Sequence, residues 1–142
     1  IGSGAAMLAA MALGADAVQV GSRFVATPEA SSHEYFKQEV LKAEQGSTVL
    51  TLKEVTPVRM LKNPFYEEIQ ALYENGADAE ALRKALGRGR AKKGMFEGDL
   101  VEGELEIGQV AAQIETITPA AEIVREFIQT YNQTLERLKK IN

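Results

Sequence analysis

Cysteine is absent from the 142 residues, which excludes disulfides and thiolate metal sites. Histidine occurs once, as His33, so a histidine-rich metal site is excluded as well. No apolar run approaches the roughly 20 residues that a membrane-spanning helix needs. Residues 1–13 lack the basic start of a secretory leader. Positive charge is in the minority, with Lys+Arg 16 against Asp+Glu 20 and a net charge of -4. That balance argues against a generic polyanion binder, because nucleic-acid backbones select basic surfaces. There is neither an internal repeat nor a low-complexity linker. What is present fits a soluble globular chain of one domain's length, 45% hydrophobic and 25% charged, and a cytoplasmic location is the simplest expectation.

The opening stretch, IGSGAAMLAAMALGADAVQVGSRF, organises the rest. Ser3 suits a helix N-cap, and residues 5–13 have high helix propensity. Met7, Leu8 and Met11 form an apolar stripe at helical spacing, read as core packing. Gly14 suits the helix end. Residues 17–20 are apolar apart from Gln19, which predicts a strand covered on both faces, as in a parallel sheet. Glycine turn, helix and strand make the second half of a βαβ unit, whose first strand would precede Ile1.

Further on, Ser31 and Glu34 have capping-box spacing before a helix over 34–44. Residues 48–53 alternate and are β-branched, predicting a strand, while 57–61 read as extended or as the start of a turn. Pro64 opens a helix over 65–74, stopped by Asn75-Gly76. Asp78 caps a second over 79–86, closed by Gly87, giving a helical hairpin. A basic run over 88–93 precedes an acidic, glycine-rich stretch over 94–108 with loop composition. Residues 109–114 suit a short helix, and Thr118-Pro119 opens a last one over 120–140.

The chemical signal lies in the two glycine turns. A helix N-terminus attracts anions through unpaired N–H groups and its dipole. Gly2 and Gly4 would let a phosphate approach. Gly21-Ser22 follows the C-terminal end of the predicted strand, where parallel α/β folds bind ligands. The alternative is that Gly2 and Gly4 merely permit a tight turn. Residue chemistry leaves both readings open.

Several segments together narrow the choice. Gln19-Val20-Gly21-Ser22-Arg23-Phe24 is similar to a Gln-Met-Gly-Thr-Arg-Phe segment, and Ile1 to the isoleucine of a Gly-Gly-Ile turn. Ala26-Thr27-Pro28-Glu29-Ala30 follows in order. Pro57-Val58-Arg59-Met60-Leu61-Lys62-Asn63 resembles Pro-Val-Arg-x-x-Lys-Asn. Glu97-Gly98-Asp99 followed by Gly108-Gln109-Val110-Ala111 resembles Gly-Asp…Gly-Gln-x-Ala. These motifs, in this order, resemble the nitronate monooxygenase and enoyl-ACP reductase II family of FMN-dependent (β/α)8 barrels.

The resemblance implies an α/β fold: the C-terminal part of a TIM barrel (its last βα unit and eighth strand) followed by a mainly helical extension. It divides the chain into 1–30 as barrel end, 31–118 as extension, and 119–142 as a helix packing back on the barrel. A barrel needs roughly 250 residues, so a C-terminal fragment is expected. The resemblance assigns FMN binding to Gly2, Gln19, Val20, Gly21 and Ser22, with Gly21, Ser22 and the turn at Ile1 and Gly2 on the phosphate. It assigns possible substrate or NAD(P)H contacts to Arg59, Asn63 and Gln109. The family's catalytic histidine would lie upstream, leaving no catalytic residue here. The implied activity is NADPH- or NADH-dependent reduction of trans-2-enoyl-ACP in fatty-acid synthesis, with hydride passing through FMN to the β-carbon. The alternative within the family is nitronate oxidation. Expected partners are a small-molecule or carrier-bound substrate and a second copy in a homodimer, with no nucleic acid, membrane or metal.

Each remaining candidate has a plainer reading. Arg83, Lys84, Arg88, Arg90, Lys92 and Lys93 form either a solvated face or a docking surface for an acidic carrier protein. On the latter reading the chain could also be a standalone interaction module. Arg59 either lines a site entrance or pairs with a carboxylate. Gln109 either faces the flavin region or caps a helix. The acidic run at Glu97, Asp99, Glu102, Glu104 and Glu106 lacks the EF-hand ligand pattern and reads as solvated loop. His33 reads as a helix-terminus or surface residue.

Overall fold

A computed structural model describes residues 1–141. The chain divides into two units, residues 1–30 with the chain from Thr116 onward, and Ser31–Glu115.

In the first unit, α1 (Gly4–Ala12) is capped by the Ser3 hydroxyl, which accepts from the Ala6 amide at 3.2 Å. It packs on the long C-terminal helix α7 (Ala120–Lys139). The approach is close because Gly4 has no side chain. A Cβ there would overlap the Phe127 carbonyl oxygen. Instead the Gly4 amide donates to Thr130 Oγ1 at 3.2 Å. Leu8, Ile123 and Phe127 are the buried apolar residues of these two helices. Pro119 lacks a capping side chain, and the Glu29 carboxylate fills that role by accepting from the Ala120 amide at 3.2 Å.

The expected buried strand is not formed. Residues 17–20 pair with no strand among the described residues, Ala17 and Gln19 are exposed, and Val18 and Val20 are half-buried. Strand geometry is stabilised by a hydrogen-bonding neighbour, and none of the described residues supplies one. The chain turns instead into the short helix α2 (Ser22–Val25). The described residues thus form a mixed helical structure with one two-stranded antiparallel sheet, and the expected barrel strand is not among its strands.

The second unit begins with α3 (Glu34–Leu41). Its cap is His33 rather than Ser31: the His33 Nδ1 accepts from the Tyr35 amide at 3.1 Å. The helix also ends before Glu44, at Lys42. Strands β1 (Thr48–Thr51) and β2 (Val58–Leu61) pair from Thr48 opposite Leu61 to Thr51 opposite Val58. Leu52 leaves β1 with φ 53°, a left-handed conformation that costs a non-glycine residue about 1 kcal/mol. Burial compensates, since Leu52 is fully buried with Met60, Phe65, Ile69 and Leu82.

Helices α4 (Pro64–Glu74) and α5 (Ala79–Leu86) form the expected hairpin, capped by Asn63 and Asp78. The basic run, given no secondary structure from sequence, is helical and extends into the first residues of the stretch expected to be loop. It forms α6 (Arg90–Met95), consistent with its arginine, alanine and lysine content. A 3-10 helix follows over Gln109–Gln113.

Candidate functional site

The segment expected to meet a phosphate lies in the first unit. Gly21 is exposed, with φ −111°, a value open to any residue. A Cβ built there meets nothing within 4 Å. Neither backbone conformation nor packing within the chain therefore calls for glycine. The Gly21-Ser22 backbone is open to an approaching group, which the phosphate role implied by the resemblance requires. The α1 turn has less to offer. Its amides at Gly4, Ala6 and Met7 are already bonded, to Thr130 Oγ1, Ser3 Oγ and the Ser3 carbonyl. Gly2 lies half-buried ahead of them. Arg23, next to Ser22, turns inward: it is 7% exposed and its Nη2 donates to Glu126 at 2.6 Å. It holds α2 to α7.

In the second unit the two downstream motifs lie side by side. The Leu61 amide donates to the Leu105 carbonyl, and the Ile107 amide to the Arg59 carbonyl, both at 3.0 Å. Asn63 ties the same segments: its Nδ2 donates to the carbonyls of Leu100 at 2.9 Å and Gly103 at 2.8 Å. Its Oδ1 caps α4 by accepting from the Tyr66 amide at 3.0 Å. The Nδ2 group of Asn63 thus ties its segment to residues 100–103, while its Oδ1 caps α4. Asp99 shapes the intervening turn, its Oδ1 accepting from the Val101 and Glu102 amides at 2.9 Å. Those bonds, with Lys93 beside it, hold the Asp99 carboxyl below its ordinary value.

Gln109 lines a cleft that Arg59 reaches only through Thr48. Arg59 Nη1 donates to the Thr48 carbonyl and hydroxyl, each at 3.3 Å, so its partner is a threonine rather than a carboxylate. Thr48 and Gln109 both line a cleft of about 480 Å3, with Ala112, Gln113 and the turn Glu44, Gln45 and Gly46. Thr48, Gln45 and Gln113 were not singled out from sequence. The spacing of Gln109 and Gln113 along one helix was the available signal.

The basic run is largely engaged. Arg90 stacks over the Phe65 ring at 4.7 Å and donates to the carbonyls of Glu102 at 2.8 Å and Ala85 at 3.1 Å. Lys92 meets Glu97 at 2.6 Å, and Lys93 meets both Asp99, at 3.3 Å, and Glu102. The acidic loop is therefore more than solvated chain: part of it neutralises the basic helix. Glu104, 6% exposed, has its carboxyl pushed up to about 7 by burial, with Glu106 adding repulsion and Arg90 opposing it. Among the described residues no acidic or histidine cluster suits a metal ion, and no helix is long and apolar enough to cross a membrane. His33 is occupied structurally, its amide donating to the Met95 carbonyl at 2.7 Å and its ring packed on Gly98.

Comparison with known proteins places these features in context. The family model described as nitronate monooxygenase matches residues 1–130. A nitronate monooxygenase of Neurospora crassa is 26% identical over 99% of the chain, and one of Paraburkholderia phytofirmans 32% identical over 96%. The chain spans 38% and 37% of these two relatives. The structure of FabK from Thermotoga maritima superposes with a TM-score of 0.88 at 36% identity, covering 98% of this chain and 44% of that one.

Proposed function

The chain belongs to the nitronate monooxygenase family of FMN-dependent oxidoreductases, and from that premise we propose that it supplies the C-terminal part of an NAD(P)H-dependent trans-2-enoyl-ACP reductase. The observation that carries this reading is the likeness to FabK. It extends through the helical hairpin and the acidic loop as well as the barrel-end segment, and we read it as favouring the enoyl-ACP reductase II branch.

Within this reading Gly21 leaves room for the FMN phosphate, and the backbone there, with the Ser22 hydroxyl, holds it. Gln19 and Val20 lead the chain to that turn, and Gly2 contributes from the turn before α1. FMN, when bound, supplies the hydride chemistry. Gln109 lines the second unit's cleft, where it contacts substrate or NAD(P)H, and Arg59 stands behind it, holding the Thr48 wall. Asn63 keeps the two motif segments in register.

A second reading, nitronate oxidation, is favoured by the names of the curated relatives. The two separate by reductant. Purified protein containing this chain is expected to oxidise NADH or NADPH when given a trans-2-enoyl thioester. Oxygen uptake with an alkyl nitronate, without enoyl-dependent NAD(P)H oxidation, would replace the reductase reading with the oxidative one.

A further inference from the structure

We propose that the cleft between the 44–46 turn and the Gln109–Gln113 helix receives the neutral, amide-bearing arm of a carrier-linked thioester, a chain of the pantetheine type. This rests on the reductase reading and names the part of the substrate that meets this unit.

The lining selects the ligand class. Gln45, Gln109 and Gln113, each with a carboxamide, and Thr48, with a hydroxyl, line one space of about 480 Å3. Each carboxamide offers two donors and an acceptor, which matches a ligand that carries amides of its own. No lysine, arginine or aromatic ring lines the cleft, and Glu44 does. A phosphate would meet a carboxylate without a cation, and a flat nucleotide ring would have no aromatic surface on which to stack. A flexible neutral chain with spaced amides suits what remains.

Arg59 positions both walls. Its guanidinium donates to the Thr48 carbonyl and hydroxyl oxygens at 3.3 Å. With that oxygen accepting from Arg59, the Thr48 hydroxyl proton is directed to another acceptor, such as a ligand carbonyl. The Arg59 carbonyl accepts from Ile107 at 3.0 Å, two residues before Gln109. One residue thus braces the strand wall by its side chain and the helix wall by its backbone.

The test is binding, read on the side-chain NH2 signals of Gln109 and Gln113 in the 15N-labelled 142-residue chain. Pantetheine is expected to shift both saturably, with a Kd of about 1 mM, the range in which a few hydrogen bonds hold a small ligand. The double variant Gln109→Leu, Gln113→Leu should weaken binding about tenfold, followed on the Gly46 and Thr48 amides. Ala112→Trp, an exposed position, should block the cleft without touching the core. Arg59→Lys should weaken binding a few-fold while the Ile69 signals stay in place, which separates positioning from global damage. No saturable shift with pantetheine, an equal response to nicotinamide or inorganic phosphate, or indifference to Ala112→Trp would each overturn the proposal. The readout needs no turnover. A chain that binds pantetheine while the whole protein reduces no enoyl thioester therefore refutes the reductase reading and leaves the cleft's specificity standing.

Discussion

The two units solve the problem of burial differently. Among the described residues, the second unit encloses Phe36, Phe65, Met60 and Ile69 completely, whereas Ile123 is the first unit's only large side chain buried to that degree. The first unit leaves Leu13 90% exposed and Ile141 71% exposed. Its helices form all the same, because helical hydrogen bonds close within the segment. Its predicted strand does not, because strand hydrogen bonds close only on a neighbour. The second unit meets that condition, as β1 faces β2 and β2 faces residues 105–107. A strand-forming sequence therefore shows its preference in one unit and not in the other.

Glycine substitutions test this contrast most strongly. A Cβ at Gly103 would overlap the Gly94 backbone and the Asp99 carbonyl oxygen, and one at Gly4 would overlap the Phe127 carbonyl. All of these neighbours are backbone and cannot rotate away. Gly103→Ala is expected to cost the second unit about 3 kcal/mol or more, at the upper end for overpacking. Gly4→Ala should separate α1 from α7. Hydrogen exchange read by segment should then show protection lost over 4–12 and 120–139 and kept over 58–72. Loss of protection over 58–72 in Gly4→Ala would mean that the second unit's core does not stand by itself.

The enclosed core of the second unit should also show in its response to pH. Glu104 has a folded-state pKa of about 7 against an ordinary 4.5, chiefly through burial. The folded state therefore keeps a proton that the unfolded state releases. The Glu104 contribution to stability is full below about pH 4.5 and is lost as pH rises towards 7, by up to about 3 kcal/mol. Urea unfolding at pH 5 and pH 8 measures the difference. Glu104→Gln should remove most of it and stabilise the protein at pH 8. A smaller slope of the same sign should persist, because burial also raises Glu106. An unchanged pH profile in Glu104→Gln would assign the effect elsewhere.

How much of this was legible in the sequence follows the same line. Local signals served well. Ser3, Asp78, Gly87 and Pro64 stand where capping rules put them, because a cap depends on residues within one turn. The cap on α3 went to His33 instead, where the Nδ1 lone pair does the work of a serine oxygen. Signals that depend on distant chain were less legible. That Gly4 serves helix contact as well as turn geometry required α7, some 120 residues later. The pairing of the Arg59 and Gln109 segments was visible only as two motifs in fixed order, with nothing to show that they touch. Helix α6 was hidden by its glycine and charge content, which composition alone cannot tell from loop.

The smallest expected effect concerns the cations. Six clustered positions suggested a docking face, yet Arg90, Lys92 and Lys93 already have partners within the second unit. Arg83, Lys84 and Arg88 are exposed, and none has an ion pair among the described residues. If an acidic carrier protein is steered here, these three act and the paired lysines do not. Replacing Arg83, Lys84 and Arg88 with Ser should raise KM for a carrier-bound substrate about threefold at low salt, with little effect on a short thioester. Replacing Lys92 and Lys93 should do less, since each already spends its field on a neighbouring carboxylate. The difference should shrink as salt rises, because exposed charges are screened within about 8 Å at physiological ionic strength. Equal effects from the two sets, or effects indifferent to salt, would return the whole basic run to the status of a solvated, internally balanced surface.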